Sequence, residues 1–138
     1  MALSQLDADV PLVAERLRRA APSELRTIVA QVCHQAVIAS GIDDPLARRA
    51  STTLQGAETD SDLAALLSSV AKRLDREYFD ARERSDPSCS SLFHQARAAS
   101  ALALGLVASD ARTAAESVYE AAHALDNPAP VYSAVLLS

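Results

Sequence analysis

Aromatic residues and glycine are scarce in this 138-residue chain, which has two Phe, three Tyr, no Trp and three Gly. β-Sheet proteins favour aromatic and β-branched side chains and turn on glycine, so the scarcity argues against a β fold. It also leaves little material for a phosphate-cradling loop, and neither a dinucleotide fingerprint nor a nucleophile elbow occurs. Cysteine is just as rare, and Cys33 and Cys89 alone make a poor disulfide framework. The longest uncharged apolar run, Ala98 to Ser109, falls well short of the ~20 residues a bilayer span needs. Met1 to Pro11 carries Asp7 and Asp9 instead of a basic segment followed by an apolar one, so no signal peptide is expected. A basic excess is missing too. The net charge is −5, which disfavours nucleic acid as a partner because a phosphate backbone must meet a basic face. These exclusions leave the expectation of a cytoplasmic protein that binds neither membrane nor nucleic acid. A basic protein partner would suit its charge.

What the chain does have is alanine, with 29 residues. Alanine loses no side-chain entropy on ordering and is the best helix former. Twelve of the 13 basic residues are Arg, a bias that together with the alanine suggests codon usage more than function. The length fits one domain with its own apolar core. The fold class expected over residues 1–138 is therefore all-α: a single antiparallel bundle of about six helices.

Local signals place those helices. Val10, Val13, Leu17 and Ala20 recur at helical spacing around Pro11. Pro22 opens a second helix with Glu24 in its first turn, and Gly41 closes it. Asp44-Pro45 is a capping carboxylate followed by proline at the first helical position, and the helix it opens stops at Gly56. Asp60, Ser61 and Asp62 offer caps for the longest helix, whose apolar face is Leu63, Leu66, Leu67, Val70, Leu74 and Tyr78. Its second half carries the i, i+4 pairs Arg73/Glu77, Arg76/Asp80 and Asp80/Arg84. Asp86-Pro87 repeats the cap-then-proline signal ahead of a Ser-rich stretch. Leu92 to Ala108 is apolar nearly all round, with Arg97 as its one permanent charge, which predicts the central helix. Its alanines and Gly105 would let neighbours pack close. It should be surrounded by the helices that start near Pro22, Ser61 and Ala111. Ser109 and Asp110 cap the last helix, and Val131 to Leu137 should dock on the core.

Few residues suggest chemistry. Glu120-x-x-His123 has the spacing of a di-iron ligand pair, but that motif needs a second copy and two further glutamates. Cys33-His34 with Cys89 and His94 lacks the close ligand pairs of structural zinc sites, and adjacent residues on a helix point about 100° apart. No catalytic residue, metal ligand or cofactor is assigned. Arg97 has two readings. Its stem can carry the guanidinium out to solvent, which is the preferred one. Alternatively it is buried and pairs with Glu116 or Glu120 on the next helix. Arg76, Tyr78, Phe79 and Arg82 form a candidate interaction surface, since aromatics beside arginines are enriched at binding hot spots. Tyr78 and Phe79 are adjacent, so they cannot both face the core.

The stretch from Leu25-Arg26 through Cys33, then Asp43-Asp44-Pro45-Leu46-Ala47-Arg48-Arg49-Ala50 and Gly56, resembles the all-helical immunity proteins of bacterial toxin systems. The resemblance continues through Ala96-Arg97-Ala98-Ala99, Ala121-Ala122-His123-Ala124 and Tyr132-Ser133-Ala134-Val135, and so covers roughly Leu25 to Val135. It implies a non-enzymatic protein that binds and neutralises a toxin of the same cell, with no catalytic residues. The alternative expectation is a helical enzyme, or a small-ligand or metal-binding domain, with a site between helices around His34, Arg97 and His123. A homo-oligomer formed through the apolar C-terminus is a third.

Overall fold

A computed structural model describes residues 2–138, and the described residues form eight helices and no strand. The helices are α1 (Ala2–Asp9), α2 (Pro11–Arg19), α3 (Pro22–Ser40), α4 (Pro45–Gln55), α5 (Ser61–Glu83), α6 (Cys89–Gly105), α7 (Ala111–His123) and α8 (Ala129–Leu136). The expected all-α class holds, and the count rises from about six to eight. The two additions are eight-residue helices at the ends of the chain. Helices this short are marginal in isolation and form because they pack. α1 buries Ala2 and Leu6 and lies against α2 and α7. Val10, ahead of Pro11, takes a non-helical φ of −141°, and this separates α1 from α2. The apolar end of the chain docks as α8, burying Val131, Ala134 and Val135.

The carboxylate caps act where the sequence puts them. Asp44 accepts from the Leu46 amide at 2.8 Å, Asp60 from Leu63 at 3.0 Å and Asp110 from Thr113 at 2.8 Å. Each such cap contributes about 1 kcal/mol. Asp86 behaves differently: it accepts from the Ser88 amide within a turn, and α6 starts later, at Cys89. Gly41 closes α3 with φ +68°, as expected. At the end of α4 the left-handed residue is Ala57, with φ +56°, and Gly56 keeps an ordinary negative φ. In place of the i, i+4 pairs expected on α5, Arg73 reaches Asp44 ahead of α4 and Arg84 pairs with Asp86 two residues on.

α6 is the central helix, packed against α5, α7 and α3. From Ala96 to Leu106 it is buried except at Arg97, Ser100 and Leu104, which are half-buried, as are Leu92 to Gln95. An ideal Cβ on Gly105 would lie 2.7 Å from Val29 Cγ1 and 3.3 Å from Cys33 Sγ, so α3 approaches α6 more closely than any side chain there allows. The core consists of Ala, Val, Leu, Ile and Cys33, and the buried polar residues are Ser117 on α7 and Ser40 at the end of α3. None of the five aromatic residues belongs to it: Tyr78, Phe93, Tyr119 and Tyr132 are half-buried and Phe79 is exposed. None of the described helices is long and apolar enough to cross a membrane.

Candidate interaction face

Three of the five aromatics that the core excludes gather at one end of the α5–α6 hairpin. Tyr78 leans towards α6, where its ring meets Phe93 at a centroid distance of 5.4 Å. Phe79, one residue on, turns outward and is 56% exposed, its ring 5.1 Å from that of Tyr78. Phe93 in turn meets His94 edge-on at 5.9 Å. The four rings form a ladder in the tilted and edge-to-face geometries that aromatic pairs prefer. Arg82 donates to the Tyr78 hydroxyl at 3.5 Å, and Arg76 stands exposed one turn before. All four residues of the sequence-derived surface therefore lie on this end of α5, with Tyr78 as the supporting layer under Phe79.

The ladder is tied to the core by Arg97. Its Nη2 donates to both carboxylate oxygens of Asp75 on α5, each at 2.8 Å, and its Nη1 donates to Glu120 on α7 at 3.0 Å. Its Cζ also sits 5.6 Å from the centre of the Phe93 ring, a cation–π distance. This corrects the preferred reading of Arg97: the guanidinium does not run out to solvent but joins three helices. Glu116 is not one of its partners. It accepts instead from the Ala2 amide at 3.2 Å and so fastens α1 to α7. Asp75 was missed by sequence reasoning, because only the α5–α6 register brings it opposite Arg97. Burial pushes the Glu120 carboxyl above its ordinary value, and Arg97 opposes the shift without cancelling it. His94 Nε2 lies 3.3 Å from Asp126, which ties the start of α6 to the turn after α7.

The remaining candidates are scattered. His34 lines a cleft of about 280 Å³ between α3 and the end of α4, with Arg26, Gln31 and Leu54. His123 faces its own helix, with Nδ1 2.8 Å from the Tyr119 carbonyl and its ring 4.3 Å from that of Tyr119. His34, Arg97 and His123 do not line a common cleft. Cys33 is buried beside Ser117, and burial pushes its thiol up to about 12, which keeps it protonated and unreactive. Cys89 is half-buried at the start of α6. The described residues contain no group of three or more His, Cys, Asp or Glu arranged to hold a metal ion.

Comparison with protein-family models, with curated proteins and with solved structures gives no match.

Proposed function

We propose that this is a non-enzymatic binding protein that grips a protein partner with the aromatic end of the α5–α6 hairpin, and that its role is toxin neutralisation. One observation carries the reading. In a chain with only five aromatic residues, three form one ladder that ends in a Phe79 ring left 56% exposed. Burying an aromatic side chain stabilises by roughly 1.5–3 kcal/mol, so leaving one in water forgoes much of that. The rings beneath hold Phe79 in place, so little conformational entropy is lost when a partner covers it. Arg82 beside it can pair with a partner's carboxylates, and Asp80 and Glu83 with its basic residues. The resemblance to immunity proteins supplies the toxin as the class of partner.

The test is affinity capture with the native chain and with Phe79→Ala, using Ile38→Ser as a control at an exposed apolar position on α3. The proposal expects one partner retained by native and control chains and lost with Phe79→Ala. That partner should arrest growth when expressed alone and be harmless when co-expressed with the chain. Equal retention by Phe79→Ala would remove the face from the argument. A captured partner that is harmless alone would remove the toxin.

A further inference from the structure

The other half of the same hairpin has a different character. From Leu63 to Ala71 on α5, and from Ala98 on α6 to Ser109 in the loop after it, there is no charged residue. The two stretches run antiparallel side by side, as Asp75 with Arg97 and Tyr78 with Phe93 show. Between them Ala64, Ala65, Ser68, Ser100, Ala103, Leu104 and Val107 line a groove of about 350 Å³. Val107, one of these lining residues, is itself 40% exposed. Exposed helix faces ordinarily carry charge. This one carries small and apolar residues, and small residues let another helix approach to about 8 Å.

We propose that this uncharged half of the α5–α6 face is a homodimer interface, in which a second copy packs antiparallel about a two-fold axis near Ser69. The charges that bound the face select this occupant and this register. Ser61, Asp62, Ala65, Ser69, Lys72 and Arg76 form one exposed stripe along α5. An antiparallel pairing centred near Ser69 sets Asp62 of each copy against the Lys72–Arg76 turn of the other, and symmetry makes the contact twice. Centring the pairing near Arg73 would set that basic turn on itself. A parallel pairing would place Lys72 on Lys72. On α6 the same axis passes between Ser100 and Leu104, so each Leu104 meets the other copy's Ser100. The face is roughly 25 Å long and 20 Å wide, on the order of 500 Å², which lies at the low end of specific interfaces. The dimer also carries the two Phe79 rings to opposite ends, about 30 Å apart at 1.5 Å per residue along α5.

The test is the mass of the full chain in solution by analytical ultracentrifugation, from high micromolar concentration down to nanomolar. The proposal expects a change from two chains to one on dilution. Asp62→Lys should raise the dissociation constant about tenfold, and Lys72→Glu with Arg76→Glu should do the same. All three substitutions in one chain should restore the dimer, because both sides of each pair are then reversed. Ser69→Arg, which places two like charges at the axis, should give a single-chain mass. These positions are exposed, so unchanged helical circular dichroism verifies that each variant is folded. A single-chain mass for the native protein at every concentration would overturn the proposal. So would a dimer that survives Ser69→Arg, or one that is lost with Leu137→Ser at the exposed end of the chain.

Discussion

Gly105 offers the sharpest test of how the core is built. Replacing it with alanine adds one methyl group, whose carbon would sit 2.7 Å from Val29 Cγ1, 3.3 Å from Cys33 Sγ and 3.4 Å from Ser117 Oγ. Val29, Cys33 and Ser117 are at most 1% exposed, so none can swing aside into solvent. The helix α3 must move instead. Forcing a methyl group into a filled core costs typically ~1–3 kcal/mol. Alanine is worth up to ~1 kcal/mol over glycine inside a helix, and less at its last residue. Gly105→Ala should therefore destabilise by a net ~1–2 kcal/mol, read as a lower urea midpoint at unchanged slope. The other two glycines calibrate the measurement. At Gly56 the nearest atom to an added Cβ is 3.5 Å away and φ is negative, so Gly56→Ala should be neutral or stabilise slightly. Gly41 has open space around it but a φ of +68°, so Gly41→Ala should cost about 1–2 kcal/mol through the backbone alone. Trimming the neighbour completes the argument. Val29→Ala should cost less in the Gly105→Ala background than in the native chain, because it removes the atom that clashes. If Gly105→Ala is as stable as Gly56→Ala, or its effect adds to that of Val29→Ala without coupling, the close approach of α3 and α6 is not what the glycine serves.

Two further outcomes follow from the titratable groups. Glu120 has a folded-state pKa raised above its ordinary 4.5, so the native state holds its proton more tightly than the unfolded chain does. That contribution to stability is complete below pH 4.5 and is lost as pH rises through the folded value. The stability of the native chain minus that of Glu120→Gln should therefore fall over this window; a difference that rises with pH would contradict the dominance of desolvation over the Arg97 pairing. Cys33 and Cys89 should differ in reactivity: at mildly alkaline pH an alkylating reagent should label Cys89 alone, and Cys33 only on unfolding. Comparable labelling rates in the folded protein would mean that α3 and α6 open readily.

The legible parts of the fold are those that local chemistry determines. Asp44, Asp60 and Asp110 announce helix starts because a cap is satisfied by amides two or three residues away. Gly41 announces a helix end for the same local reason, whereas the end of α4 misleads, since the left-handed residue there is Ala57. The burial of α6 is legible because its middle is apolar in every direction. α1 is not, because Ala2 and Leu6 are helical only through what they pack against. The candidate face follows the same division. The adjacency of Tyr78 and Phe79 is written in the sequence. Phe93 and Asp75 join them only once α5 and α6 are in register, and that register comes from the packing of two helices whose apolar faces specify burial but not offset. Arg97 shows how such reasoning goes astray: its place near the start of α6 suggested a route to solvent, but α5 and α7 flank it with carboxylates there.

The position of the aromatics has a cause of its own, and it separates the face from the scaffold. In a core rich in alanine, α3 and α6 approach until a single added methyl group on Gly105 would overlap Val29. Such spacing has no room for a phenyl ring, so the aromatics are driven to the margins. That accounts fully for Tyr78 and Phe93, each half-buried against the other and against Arg97. It accounts as well for Tyr119, stacked on His123. Phe79 is the exception, since exclusion from the core explains why its ring is peripheral but not why it is phenylalanine on a stripe otherwise made of Asp, Ala, Ser, Lys and Arg. A charged residue there would serve solubility and cost the fold nothing. Phe79→Arg should therefore leave stability within about 0.5 kcal/mol of native while abolishing partner capture. Only a ring whose purpose lies outside the fold behaves that way.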